Sequence, residues 1–100
     1  MNYETLLVDK DKRGVVLLTL NRPEKRNALS AKMIDELTNF AASLTSDIRV
    51  TVIQGAGNLF CAGGDLEWMH AQINADRSTR IAEARKLALM LKALNELPVP

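Results

Sequence analysis

NLFCAGGDLEWM, residues 58–69, is the stretch that decides the fold and the candidate site of this chain. Hydrophobic residues lead into two adjacent glycines, and Asp65 then opens a short amphipathic segment. Glycine lets a backbone adopt positive φ or approach a ligand closely, and an aspartate at a helix start complements the helix dipole. Such a corner can leave a peptide N–H directed outward, available to a developing oxyanion. On residue types alone, a purely structural glycine turn is an equally good interpretation.

Strand and helix patterns surround this stretch on both sides. Runs of apolar and β-branched residues predict three strands, and apolar residues at helical spacing predict two helices. Ser30 is the expected cap of the first helix. The predicted strands are Tyr3–Val8, Val15–Leu20 and Val50–Gln54, and the predicted helices run from Ser30 to about Leu44 and over Ala75–Glu96. On the second helix the apolar face is expected to carry Ile81, Ala84, Leu87, Ala88, Leu91 and Leu94.

The order of these elements predicts an α/β fold with helices packed on a sheet. No repeat, low-complexity tract or linker divides residues 1–100, so we expect a single unit without an internal boundary. Leu97-Pro98-Val99-Pro100 ends the second helix and resembles the approach to another strand. These residues are therefore expected to be the N-terminal portion of a larger domain.

Composition excludes several classes of function. The chain is 47% hydrophobic and 25% charged, with a formal net charge of +1. Nucleic-acid binding usually needs a clustered basic surface, so we expect no nucleic-acid partner. The single cysteine excludes an internal disulfide and fits a reducing compartment. The chain lacks a secretory signal and any apolar run of about 20 residues, so we expect a cytoplasmic protein without membrane contact.

A second candidate site is the loop Arg22-Pro23-Glu24-Lys25-Arg26-Asn27-Ala28-Leu29. Its three basic residues in five positions could bind phosphates, although on residue types alone a solvated charged turn is the preferred interpretation. A Walker-type phosphate loop is absent, and Gly55-Ala56-Gly57 is too short for a dinucleotide fingerprint. His70 is the only histidine, and with Cys61 it forms no familiar metal-ligand spacing. We expect no metal.

Taken together, the two segments resemble the crotonase superfamily, the enoyl-CoA hydratase/isomerase family. The matching features are a strand followed by residues 21–29, and a later strand followed by Phe60-Cys61-Ala62-Gly63-Gly64-Asp65-Leu66. The resemblance implies a crotonase-like spiral of ββα units, assembled as a homotrimer or a dimer of trimers. It implies an acyl-coenzyme A substrate and no separate cofactor, because coenzyme A is part of the substrate.

The resemblance also implies roles at the acyl end of the substrate. Gly64 matches the first of the family's two oxyanion-hole donors, whose N–H binds the thioester carbonyl oxygen. Asp65 and Leu66 continue the substrate-contacting segment. The second donor and the two glutamates of the hydratases would lie beyond Pro100, so these 100 residues alone are expected to be inactive.

At the coenzyme A end, the resemblance implies four further residues. Lys25, Arg26 and Ala28 match the loop that borders the nucleotide portion, with the basic side chains near the phosphates. Ala62 matches a backbone position that contacts the adenine. The basic loop is thereby interpreted as a coenzyme A site.

The leading expectation is an enoyl-CoA hydratase that adds water across the 2,3 double bond of an α,β-unsaturated thioester. The continuation after Gly64 is similar to hydratases of branched substrates of the methylglutaconyl-CoA type. The alternatives are an enoyl-CoA isomerase of the same superfamily and a non-catalytic binding or assembly module with this fold.

Overall fold

A three-stranded sheet forms the centre of the computed structural model, which describes residues 2–100. The strands are β1 (Leu6–Lys10), β2 (Val15–Leu20) and β3 (Val50–Gly55), in the order β1-β2-β3. β1 pairs antiparallel with β2, and β2 pairs parallel with β3. β2 has its predicted bounds, whereas β1 lies later in the chain than predicted. The segment before β1 is instead held by Glu36, whose carboxylate accepts hydrogen bonds from the N–H groups of Glu4 and Thr5, both at 2.8 Å.

Three α-helices accompany the sheet, each with a polar cap. They are α1 (Ala31–Ala42), α2 (Leu66–Asn74) and α3 (Arg77–Asn95). Helix α1 connects β2 to β3, and α2 and α3 follow β3. Ser30 accepts a hydrogen bond from the N–H of Met33 at 3.2 Å, as predicted for the cap of α1. Asp65 and Asp76 cap α2 and α3 in the same way. Sequence and structure therefore agree on an α/β fold. Within residues 2–100, no helix is long and apolar enough to cross a lipid bilayer.

The core lies between β2 and α1. Because β2 is the central strand and α1 joins it to β3, their apolar residues face each other and are withdrawn from water. The buried core comprises Leu6, Val16, Leu18, Leu20, Met33, Ile34, Leu37, Phe40, Ile48 and Met90. This packing fixes the ends of β2 and β3, from which the two candidate site segments emerge.

The predicted apolar face of α3 is partly wrong. Met90, which was outside that face, is the buried residue of the helix, and Leu87 and Leu94 pack beside it. Ile81 and Leu91 are instead about half exposed. Several positions around α3 are apolar, so periodicity did not fix which of them would meet α1.

Candidate functional site

The candidate site forms where two loops meet at one edge of the sheet. Residues 22–29 follow β2 and residues 58–65 follow β3, and these strands are parallel neighbours. Their carboxyl ends lie at the same edge, which is where ligands bind in open α/β sheets. Two backbone bonds hold the loops together: the N–H of Ala62 donates to Arg26 O at 3.0 Å, and the N–H of Leu29 to Gly63 O at 2.7 Å.

The N–H of Gly64 is directed away from this junction. Leu29 accepts a hydrogen bond from the N–H of Asp65 at 2.9 Å and donates to the carbonyl of Gly63, forming a parallel bridge around Gly64. In an extended strand, the N–H and C=O of one residue point to one side of the strand. The C=O of the residue before it and the N–H of the residue after it point to the other side. The amide of Gly64 therefore faces the other side. Within residues 2–100 no group accepts a hydrogen bond from it.

A cleft of about 520 Å³ lies along these loops. It brings together every site residue predicted from the sequence: Lys25, Arg26, Ala28, Ala62, Gly64, Asp65 and Leu66. Lys25, Arg26 and Leu66 are exposed, whereas Ala28 is buried. Glu24, Glu67 and Met69 complete the lining. One cleft thus joins a basic loop to an unpaired backbone donor, as binding of a phosphate-bearing carbonyl compound would require.

Arg22, which sequence reasoning treated only as part of the basic loop, bridges the two segments from within. Its guanidinium donates from Nη1 to the carbonyl of Ala28 at 2.5 Å and from Nη2 to Asp65 Oδ1 at 3.1 Å. The exposed fractions of the two side chains are 16% for Arg22 and 9% for Asp65. Arg22 is therefore a structural cation and differs from the exposed Lys25 and Arg26.

Asp65 is ionised and fully engaged. Burial favours the neutral acid, but hydrogen bonds from the Trp68 N–H and from Arg22 outweigh it and lower the pKa of Asp65. The carboxylate accepts from the Trp68 N–H at 3.0 Å and so caps α2. Its oxygens face the protein, which confirms the predicted capping role.

Asn27 is the second residue whose role only the structure reveals. It is 1% exposed and has a left-handed φ of 55°. Its Nδ2 donates to the carbonyls of Ala56 and Leu59, both at 2.9 Å, and its Oδ1 accepts from the N–H of Arg22 at 2.8 Å. Asparagine tolerates left-handed backbone better than most residues. An asparagine within this loop was the available sequence signal.

The remaining reactive side chains do not form a site of their own. Cys61 is half-buried and packs against the core, as expected of a small hydrophobe. His70 is exposed. Among residues 2–100, no group of three His, Cys, Asp or Glu side chains is placed to hold a metal ion. The cleft presents the N–H of Gly64, the basic side chains of Lys25 and Arg26 and the carboxylates of Glu24 and Glu67.

Comparison with known proteins decides the family. The sequence profile of the enoyl-CoA hydratase/isomerase family matches residues 10–99. The chain belongs to this family. A probable enoyl-CoA hydratase from Mycobacterium bovis is 41% identical over 81 residues, 79% of this chain and 31% of that protein. A mitochondrial Delta(3,5)-Delta(2,4)-dienoyl-CoA isomerase from Mus musculus is 37% identical over 86 residues, 81% of this chain and 26% of that protein.

Solved structures of the family confirm the crotonase fold. An enoyl-CoA hydratase from Mycobacterium smegmatis superposes with a TM-score of 0.89 at 37% identity, covering 97% of this chain and 38% of that one. The chain spans about a third of the length of the curated hydratase relative that it matches. The described residues therefore correspond to one part of a crotonase-fold domain.

Proposed function

We propose that these residues form the N-terminal portion of an acyl-CoA enzyme, an enoyl-CoA hydratase. Water would add across the 2,3 double bond of an α,β-unsaturated thioester, placing hydroxyl on carbon 3 and hydrogen on carbon 2. The enzyme would be cytoplasmic, a homotrimer or a dimer of trimers, and would need no separate cofactor. A branched acyl group of the methylglutaconyl-CoA type is the substrate class suggested by the residues after Gly64.

The unpaired N–H of Gly64 carries this proposal. Hydration of an enoyl thioester passes through an enolate-like state in which negative charge develops on the thioester oxygen. A fixed N–H donor binds that charge more strongly than it binds the neutral carbonyl, so it lowers the barrier to reaction. The bridge to Leu29 preorganises this donor, because both neighbouring peptide groups are already bonded.

The basic loop supports coenzyme A as the other half of the substrate. Lys25 and Arg26 are exposed at the cleft that also contains Gly64, and basic side chains favour phosphate groups. Ala28 and Ala62 also line this cleft. Small side chains there leave backbone accessible to a nucleotide. The second oxyanion donor and the acid–base carboxylates would come from residues beyond position 100.

A double-bond isomerase is the second candidate, favoured by the similarity to the mouse dienoyl-CoA isomerase. Isomerisation passes through the same kind of enolate, so the Gly64 donor serves both reactions. The reactions differ in the carboxylates that move protons.

The test uses the full-length protein that contains these residues. Coenzyme A binding is measured by calorimetric titration, and turnover is followed separately with an α,β-enoyl-CoA and its β,γ isomer. We expect coenzyme A binding and loss of the conjugated enoyl absorbance as the hydroxyacyl product forms. Conversion of the β,γ isomer without hydration would identify an isomerase. Coenzyme A binding without turnover would identify a binding module, and absence of binding would overturn the acyl-CoA proposal.

A further inference from the structure

The buried pair of Arg22 and Asp65 flanks the donor at Gly64. Asp65 is the next residue in the chain, and Arg22 joins its carboxylate to the carbonyl of Ala28 in the opposite loop. Ala28 in turn precedes Leu29, which bonds on both sides of Gly64. One guanidinium therefore holds both segments that determine where the Gly64 N–H points.

The charge of Asp65 would otherwise oppose the reaction. A carboxylate beside the donor repels the negative charge that develops on a bound thioester oxygen, and repulsion strengthens where water is excluded. The side chain of Asp65 is only 9% exposed, so solvent screens it poorly. Arg22 is the cation paired with it.

We propose that Arg22 is a positioning residue for the Gly64 donor, fixing the two loops and balancing the Asp65 charge beside the developing oxyanion. This inference rests on the proposed acyl-CoA chemistry. The fork of the guanidinium suits the task, because one planar group serves a carbonyl and a carboxylate at once. Lys25 and Arg26, being exposed, remain available to the substrate phosphates.

The pKa of Asp65 supplies a signature of this role. Arg22 helps to lower that pKa, so removing Arg22 raises it towards the range where the acid is neutral. In an Arg22→Met variant, protonation of Asp65 would remove the unbalanced charge. The ratio of variant to wild-type kcat should therefore rise as pH falls.

The experiment compares Arg22→Met, Asp65→Asn and the double variant in the full-length enzyme. We expect Arg22→Met to lower kcat about 10- to 100-fold, the size of one lost charge-assisted hydrogen bond, with a smaller change in KM. The double variant should recover the part of that loss that the unbalanced Asp65 charge causes, because asparagine still caps a helix but carries no charge. Arg13→Met is the matched control: Arg13 is 80% exposed, and its loss should leave kcat unchanged.

Two results would overturn the inference. Wild-type kcat in a folded Arg22→Met enzyme would show that the pair does not act on the donor. If Asp65→Asn does not restore any of the kcat lost in Arg22→Met, and the ratio of variant to wild-type kcat does not change with pH, Arg22 only supports packing. If Arg22→Met does not fold, Arg22→Lys provides the test. Lysine replaces the forked guanidinium with a single ammonium group, so kcat should fall about tenfold. An unchanged kcat in Arg22→Lys would contradict the positioning role. Absence of acyl-CoA turnover in the wild-type enzyme would instead refute the proposed function.

Discussion

Replacement of Gly64 by proline is the sharpest perturbation of the proposed oxyanion hole. Proline lacks a backbone N–H, so the substitution deletes the donor. The substitution itself removes no hydrogen bond, because the N–H of Gly64 has no partner within residues 2–100. The preceding residue is Gly63, whose missing Cβ relieves the usual clash before proline. Gly64→Ala is the matched control, because alanine keeps the N–H.

The structure predicts how well the control fits. A Cβ built on Gly64 would lie 3.4 Å from Cγ and Sδ of Met69 and 3.9 Å from Cε3 of Trp68, which is ordinary van der Waals contact. Gly64 is not among the residues with positive φ, unlike Gly63 at 102°. Alanine at position 64 should therefore cost little. Loss of one preorganised oxyanion donor typically lowers kcat by about 10²- to 10³-fold, or about 2.7–4 kcal/mol.

The assay is steady-state hydration of an enoyl-CoA by the full-length enzyme and its two variants. We expect kcat for Gly64→Pro to fall by two to three orders of magnitude, and kcat for Gly64→Ala to stay within about fivefold of wild type, a change near 1 kcal/mol. Circular dichroism and gel filtration confirm that both variants keep their fold and assembly. Coenzyme A affinity should change little, because the proposed phosphate-binding residues are Lys25 and Arg26 and not Gly64.

A further variant removes the possibility that the proline ring simply obstructs the cleft. Replacing Gly64 by glycolate converts its peptide N–H into an ester oxygen without adding atoms. We expect the same loss of kcat as for proline. Full turnover by the ester enzyme, or equal losses in Gly64→Pro and Gly64→Ala, would refute the assignment of Gly64 as the donor.

Three further predictions concern the scaffold and the basic loop. Asn27→Ala and Asn27→Gly both lose three hydrogen bonds, but only alanine is strained at φ 55°. Urea unfolding should therefore find the alanine variant about 1 kcal/mol less stable than the glycine variant, and equal stabilities would contradict this. Glu36→Gln should cost about 1–3 kcal/mol at neutral pH. Burial opposes ionisation of Glu36, but hydrogen-bond donors just before β1 outweigh burial and lower the pKa of Glu36. The stabilisation is therefore present above the ordinary carboxyl pKa range and disappears as pH falls through the folded pKa. A difference in unfolding free energy between wild type and variant that did not change with pH would contradict this. Lys25→Glu and Arg26→Glu should each raise KM for acyl-CoA with little change in kcat. The control Lys12→Glu, in the exposed β1–β2 turn, should leave KM unchanged. A wild-type KM that does not depend on salt concentration would count against phosphate binding.

The local elements of the fold could be predicted from the sequence because their signals lie within a few residues. The apolar run Val15–Leu20 predicts a buried strand, and β2 has those bounds. Ser30 and Asp65 are good helix caps by residue type, and both cap helices. The face of α3 could not be predicted in this way, because burial of Met90 depends on how α3 packs against α1.

The sequence by itself determined strand β2, the helix caps Ser30 and Asp65 and the family resemblance, since these follow from short-range pattern and motif. Only the tertiary structure decided the direction of the Gly64 amide, because bonds to Leu29 in another loop orient it. The same holds for Arg22, whose partner Asp65 lies 43 positions away, and for Asn27, which ties together loops that follow different strands. Residue type indicates which hydrogen bonds a side chain can make. Which of them form depends on the loops that the fold brings together at the carboxyl ends of the parallel strands.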